Sequence, residues 1–388
     1  MATIISQAYT GNAYATNEKK VDMHPELLQG YVKATAPLIY LFEKIGKGKT
    51  TNSTFDWITA EEFPSYVQYT GANESGTPSD GNVTIALYSA LKRDTILRNT
   101  RTGEVMRVST TPTTSSVYLD RGIGGTTATA MYTGDRLEIM APATEELASY
   151  SNASSVVDSR DYNYTQIFDA MIETARTVNA EATHFGSKRV QNQKAKWHEW
   201  YKGVEKTIMF GRRASFTDPN SGNVIRTTGG FMFFLENGTN VYTPSGGMLT
   251  ESGFDQFLED VFVSYPGGNK RFLICSPKIY GIISRFAKNR MVTSPMQKEY
   301  GMDLQRYVWC SVGIDIVAHP LLAGDDYLNG IAFLIDFDLA QFKWLRPPVM
   351  KFDCGVQSYN YIVDKIEAEG GLLLGVEKAH GLITGVTS

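Results

Sequence analysis

The sequence predicts an α+β protein whose helices and strands fall in separate blocks rather than in strict alternation. Three observations predict it. Residues 186–213 (GSKRVQNQKAKWHEWYKGVEKTIMFGRR) carry Val190, Trp197, Tyr201, Val204 and Ile208 at steps of 7, 4, 3 and 4, one narrow apolar stripe at helical period. Residues 81–140 hold several short alternating runs parted by glycine turns, the pattern of a small sheet or barrel. Residues 359–386 alternate again, through Ile362, Ile366, Ala368, Leu372, Leu374 and Val376, as long strands would. No internal repeat is visible.

In chain order, residues 1–24 are small and polar and read as an extended arm. Leu27, Leu28, Tyr31 and Val32 have helical spacing, and Pro37 is expected to break that helix. Residues 46–53 (GKGKTTNS) are a polar linker before a strand at 54–61. Residues 65–80 look like an exposed tip, and 142–165 like a polar connection. Ile167, Met171, Ile172, Ala175 and Val178 predict a helix over 166–178. Ser187 is the expected N-cap of the long helix and Gly211 its C′ residue. A stripe this thin, on a helix this polar, needs something flat beneath it, such as a sheet. Phe254, Phe257, Leu258, Val261 and Phe262 predict an amphipathic helix. RFLIC (271–275) reads as a buried strand, and Ser276-Pro277 opens a further helix with Ile279, Ile282, Ile283 and Phe286 on one face. Strands are expected at 313–317, 332–337 and 341–345, the last ending before Pro347-Pro348.

Of 388 residues 42% are hydrophobic, so a large core is possible; the formal charge of −4 disfavours strong nonspecific nucleic-acid binding by the chain as a whole. No signal peptide is expected at the N-terminus, and no apolar run is long enough to span a membrane. Cys275, Cys310 and Cys354 are odd in number and far apart, which suits reduced, buried thiols.

No motif reaches the standard of a catalytic site. Gly48-Lys49-Thr50 resembles the end of a phosphate loop, but Glu43 stands where its first glycine belongs. Gly122-Ile123-Gly124-Gly125 has no helix after it and reads as a turn. Asp336 with Asp338, and Glu367 with Glu369, share strand faces; they read as solvated charge pairs before they read as a metal or acid–base site. His24, His184, His198, His319 and His380 lack zinc spacing. His198 reads as a flank residue between Trp197 and Trp200. No cofactor and no metal are expected. The basic residues Arg93, Arg98, Arg101, Arg107 and Arg121 could meet nucleic acid, or acidic surfaces of a neighbouring copy such as Glu145-Glu146, or only water.

The order of elements resembles the major capsid proteins of tailed bacteriophages, with the HK97-like fold, and within them the group carrying an extra small β-domain in the extended loop. The segments that carry it are PLIYLFEKIGKGKTTNSTFDWITAE, DTILRNTRTGEVMRV, YTGDRLEIMAPATEE, NYTQIFDAMIETA and GLLLGVEKAHGLITGV. The resemblance implies an N-terminal arm (1–46) and an extended loop (47–142) with its β insertion at about 92–140. It implies a peripheral domain (143–265 and 350–388) with the spine helix 186–213, and an axial domain (266–349). It further implies hexamers and pentamers closing an icosahedral virion shell, assembled in the host bacterial cytoplasm around double-stranded DNA held without sequence specificity. A portal, a decoration protein and, because the arm is short, a separate scaffolding protein are the expected partners, with no membrane. The Lys–Asn cross-link of some relatives is not carried over, since nothing places a carboxylate beside such a pair. The rival readings are an encapsulin-like compartment, an enzyme using the paired carboxylates, and another phage structural component.

Overall fold

The computed structural model describes residues 37–60, 63–74, 80–143, 146, 158–181, 187–265, 271–286, 291–292, 305–309, 312–354 and 360–387. The chain divides into two compact units, Ile58–Asp161 and the remainder on either side of it.

In the larger unit, the spine helix Lys188–Phe210 is 23 residues long, roughly 35 Å. Beneath it lies a long four-stranded sheet in the order Lys47–Lys49, Ala340–Lys351, Tyr361–Leu374, Gln166–Ala175. Trp200, Val204 and Ile208 share one core with Phe168, Ile172, Ile366 and Ala368 of that sheet. The expected helix at 166–178 is corrected here. Residues 166–175 form a strand paired through ten positions with 361–370, and only Arg176–Ala180 turn helical. Its buried face is Phe168, Ile172 and Thr174, a period of two that the exposed Ile167 and Met171 disguised.

The strand Ala340–Lys351 runs through Pro347-Pro348 instead of stopping before them. Its register slips between Trp344 and Arg346 and again between Arg346 and Val349. Beyond Trp344 its other neighbour has ended, so the prolines sit on an edge, where a missing N–H costs no ladder bond. Residues 340–349 thus belong to the long sheet rather than to the block expected at 266–349. Pro37, expected to break a helix, begins one, Pro37–Lys44; the first turn needs no N–H from it. The apolar residues 27–32 lie outside the described residues. The polar connection expected at 142–165 ends in a strand, Ser159–Tyr164, paired with Thr54–Thr59.

A seven-stranded sheet has the order Val241–Tyr242, Gly381–Ile383, Ala332–Asp336, Arg271–Cys275, Val312–Ala318, Gln305–Trp309, Met291–Val292. Strands Arg271–Cys275 and Ala332–Asp336 are buried throughout, and apolar but for Arg271 and Asp336, because both faces are covered. Phe272, Ile274, Phe333 and Ile335 point into the core shared with the spine helix. Leu273, Cys275, Ala332 and Leu334 point into a second core, closed by Phe254, Phe257, Leu258 and Val261 of helix Glu251–Ser264 and by Ile279, Ile282 and Ile283 of helix Pro277–Phe286. Ser276 caps the latter helix, its Oγ accepting the N–H of Ile279 at 3.1 Å.

The smaller unit is a six-stranded sheet ordered Tyr66–Gln68, Arg136–Ile139, Ile96–Asn99, Val105–Val108, Ser116–Asp120, Gly81–Thr84. A bridge between Tyr69 and Ile85 joins the first strand to the last and closes a barrel. The barrel therefore draws on residues well before 92, including Val67 and Tyr69, where an exposed tip was expected.

Candidate functional site

Along the spine helix the expected apolar stripe is only partly the face that meets the sheet. Val204 and Ile208 are buried, while Trp197 and Tyr201 are half-buried and stacked at 5.3 Å. Val190 is 45% exposed, so its place among the core anchors is corrected. Trp200, which the stripe omitted, is the deeper aromatic and meets Phe168 edge-on at 6.4 Å. In the first two turns the sheet-facing residues are polar. Arg189 donates to both oxygens of Asp364, at 2.5 and 2.8 Å, and Gln193 donates to it at 2.7 Å. These bonds hold the Asp364 carboxyl down at about 2, with Arg189 the largest cause. At the far end Gly211 leaves no room for a side chain: a Cβ there would lie 2.5 Å from the carbonyl oxygens of Thr207 and Thr228.

The most deeply built polar site was invisible in the sequence. Glu205 is fully buried on the spine helix. Its Oε1 accepts the backbone N–H groups of Leu38 at 2.7 Å and Ile39 at 3.1 Å, capping helix Pro37–Lys44 from another element. Its Oε2 lies 2.8 Å from His319 Nε2. His319 Nδ1 accepts the N–H of Leu321, so the ring proton sits on Nε2 and is donated to Glu205. Burial pushes the Glu205 carboxyl up, against the opposing pull of His319 and the two amides. One carboxylate thus ties the chain that follows residue 36 to the spine helix and to the end of strand Val312–Ala318.

The basic residues are mostly spoken for inside the barrel. Arg121, 2% exposed, clasps Glu104 through two bonds of 2.6 and 2.8 Å and reaches Glu74 at 3.2 Å. Arg101 clasps Asp135 at 2.7 Å through two nitrogens and lies over the Tyr132 ring. That bond holds the Asp135 carboxyl at about 2. Arg107 bonds Asp94, and Arg93 lies 3.5 Å from the same carboxylate. Arg101, Arg107 and Arg121 thus have their charge matched within the unit. Arg98 is exposed, opposite Glu138 in the register. Glu146 is exposed in a turn, and Glu145 lies outside the described residues.

The paired carboxylates are also engaged. Asp336 is fully buried, 3.9 Å from the equally buried Arg271, and its side chain accepts the N–H of Asp338. It is no solvated strand residue. Glu369 pairs with Arg346 at 2.8 Å and accepts from Thr165; Glu367 pairs with Lys351 and Lys365. Burial lowers His380 to about 4, and it bridges Asp336 N and Gly375 O. His198 is half-buried, and burial likewise lowers it. Cys275 is buried, which pushes its thiol up to about 12; Cys354 is exposed, a correction to the expected burial. His24, His184 and Cys310 lie outside the described residues. Among the described residues no group of three or more His, Cys, Asp or Glu is placed to hold a metal. No described helix is long and apolar enough to cross a membrane.

Residues 5–387 match the profile of one family, described as SU10 major capsid protein. No curated protein matches the chain. Among solved structures, the capsid of a native GTA particle is similar with a TM-score of 0.50 and 10% identity, over 97% of this chain and 98% of that one. A chain of Microbacterium phage Oxtober96 gives 0.49 and 8%, over 97% and 99%. The holo-SrpI encapsulin complex of Synechococcus elongatus PCC 7942 gives 0.42 and 10%, over 60% of this chain and 77% of that one. At these identities the likeness is one of fold, and the first of the three carries it.

Proposed function

The chain belongs to the SU10 major capsid protein family, and from that premise we propose how its parts serve a phage head. It is a major capsid protein with an α+β fold of the HK97-like type, and copies of it build a shell of themselves, the capsid of the virion. The proposal is that hexamers and pentamers close this shell icosahedrally, in the host bacterial cytoplasm, around double-stranded DNA held without sequence specificity. The arm (1–46) and the extended loop with its barrel (47–142) engage neighbouring copies. The spine helix and long sheet form the peripheral part, and the expected 266–349 block, less residues 340–349 of the long sheet, faces the symmetry centres. A separate scaffolding protein, a portal and a decoration protein complete the particle. The role is structural, without a catalytic step.

The observation that carries this reading is the family match over residues 5–387. It is supported by side chains that could do chemistry being tied up in bonds between elements, as with Glu205, Asp364 and Arg121. Electron microscopy of the full chain, produced with the other head genes of its source, tests it. Closed shells containing nuclease-protected double-stranded DNA are expected. Shells filled with protein cargo and free of DNA, or monomers alone, would overturn it.

A further inference from the structure

The long sheet of the larger unit carries its free charge unevenly. On its helix side lie the spine helix, helix Pro37–Lys44 and the edge strand Lys47–Lys49. On the spine helix, Lys188, Lys202 and Lys206 fall within about 40° of one another, opposite the buried Val204 and Ile208, and span roughly 27 Å. Lys47 and Lys49 pair in register with Phe342 and Trp344, so they share the face of those two core residues. Lys44 ends the helix that Glu205 ties to the spine. Lys202 is half-buried and the other five are exposed. Among the described residues none of these six lysines has a carboxylate partner. The acids of the three elements are Glu43, Glu199 and the buried Glu205, and Glu199 is taken by Lys196.

The other face of the sheet is the reverse. There Lys351, Lys365 and Arg346 are bound to Glu367 and Glu369, and Asp169 and Glu173 stand exposed. Unmatched cations gathered on one side raise the local concentration of anions there, although the chain as a whole is acidic. Their arrangement says which anion. They are strung along the helix rather than converging on a point, which suits a linear polyanion better than a small ion. Lysine ammoniums are hydrated point charges without a planar fork, which suits phosphate contact that is blind to sequence. Trp197, Trp200 and Tyr201 of the spine pack into the core, so that helix offers no platform for unpaired bases, and a duplex fits better than a single strand.

We propose that this lysine face binds the phosphate backbone of a nucleic-acid duplex without reading its bases. This deepens the capsid reading, and rests on it only for naming the duplex as double-stranded DNA; the face itself is identified by its charge. One copy supplies few contacts and binds weakly, and many copies side by side hold the duplex through their sum.

Fluorescence anisotropy of a labelled DNA duplex of about 30 base pairs, titrated with full-chain subunits between about 50 and 200 mM salt, tests the proposal. Wild type should bind with an affinity that falls steeply with salt. Lys202→Gln with Lys206→Gln should weaken binding about tenfold and flatten the salt slope by about 1.8. Lys351→Gln with Lys365→Gln removes the same charge from the opposite face and should change affinity less than about twofold. If the helix variant melts below wild type, Lys47→Gln with Lys49→Gln carries the same expectation. No binding by wild type at about 50 mM salt, or equal weakening by the pairs on both faces, would overturn the lysine face. Tighter binding of polyglutamate than of the duplex would make the occupant an acidic polypeptide and overturn nucleic acid as the partner. Those outcomes leave the capsid reading standing, whereas wild-type shells free of DNA would overturn that reading and leave the affinity of this face for a duplex in place.

Discussion

Asp364 decides how the first half of the spine helix sits on its sheet. Its carboxylate takes the Arg189 fork, the Gln193 amide and the N–H of Asp353. The carboxyl titrates at about 2 in the folded chain, against about 3.9 in an unfolded one. A folded value below the unfolded one means the contribution is complete above about pH 4 and is lost as pH falls towards 2. The difference corresponds to roughly 2–3 kcal/mol. Asp364→Asn should therefore be less stable than wild type by about 2–4 kcal/mol at pH 7. It should also lose less than wild type between pH 4 and pH 2. Denaturant midpoints across that range check this, and parallel pH profiles for the two proteins would refute it.

At the scale of elements, legibility followed distance along the chain. Helix Glu251–Ser264 was visible because Phe254, Phe257, Leu258 and Val261 all face one core, so its period is undisturbed. The spine helix was visible as a helix, but its inward face was not. Arg189 and Gln193 turn inward to a carboxylate more than 170 positions away, and no local period announces that. Strand Gln166–Ala175 reads as a helix in the sequence because Ile167 and Met171, on its exposed face, blur the period of two set by Phe168, Ile172 and Thr174. Glu205 and His319, 114 positions apart, carried no signal at all. Their pairing makes a distinct prediction about helix Pro37–Lys44. Glu205→Ala strips the acceptors from two amides of that helix and from His319, at a cost of about 3 kcal/mol. Trypsin should then cut after Lys44 and Lys47 about tenfold faster than in wild type, by local opening. Glu205→Gln keeps an acceptor for Leu38 and Ile39 and should fall between the two. Equal cleavage in all three proteins would show that Glu205 does not anchor the helix.

At the scale of the whole molecule there are separate cores, and they should melt separately. The barrel core, from Val67 to Leu137, lies wholly within Ile58–Asp161, while the other two cores use none of those residues. Two such bodies in one chain violate two-state unfolding, so calorimetry should resolve more than one transition. Arg121 tells which transition belongs to the barrel. Its guanidinium is buried against Glu104, whose oxygens also accept the N–H groups of Gly122 and Thr129. Removing one partner of such a pair leaves a buried carboxylate uncompensated, at about 3–5 kcal/mol. Arg121→Ala should thus lower one transition by many degrees and leave the other in place. Arg98→Ala, at an exposed position on the same sheet, should move neither, because its charge is solvated in the free subunit. If Arg98 instead meets a neighbouring copy, its loss should appear only in the yield or salt tolerance of assembled shells. If Arg121→Ala shifted every transition together, the two units would be one cooperative body, and the barrel could not be treated as a self-contained addition to the capsid fold.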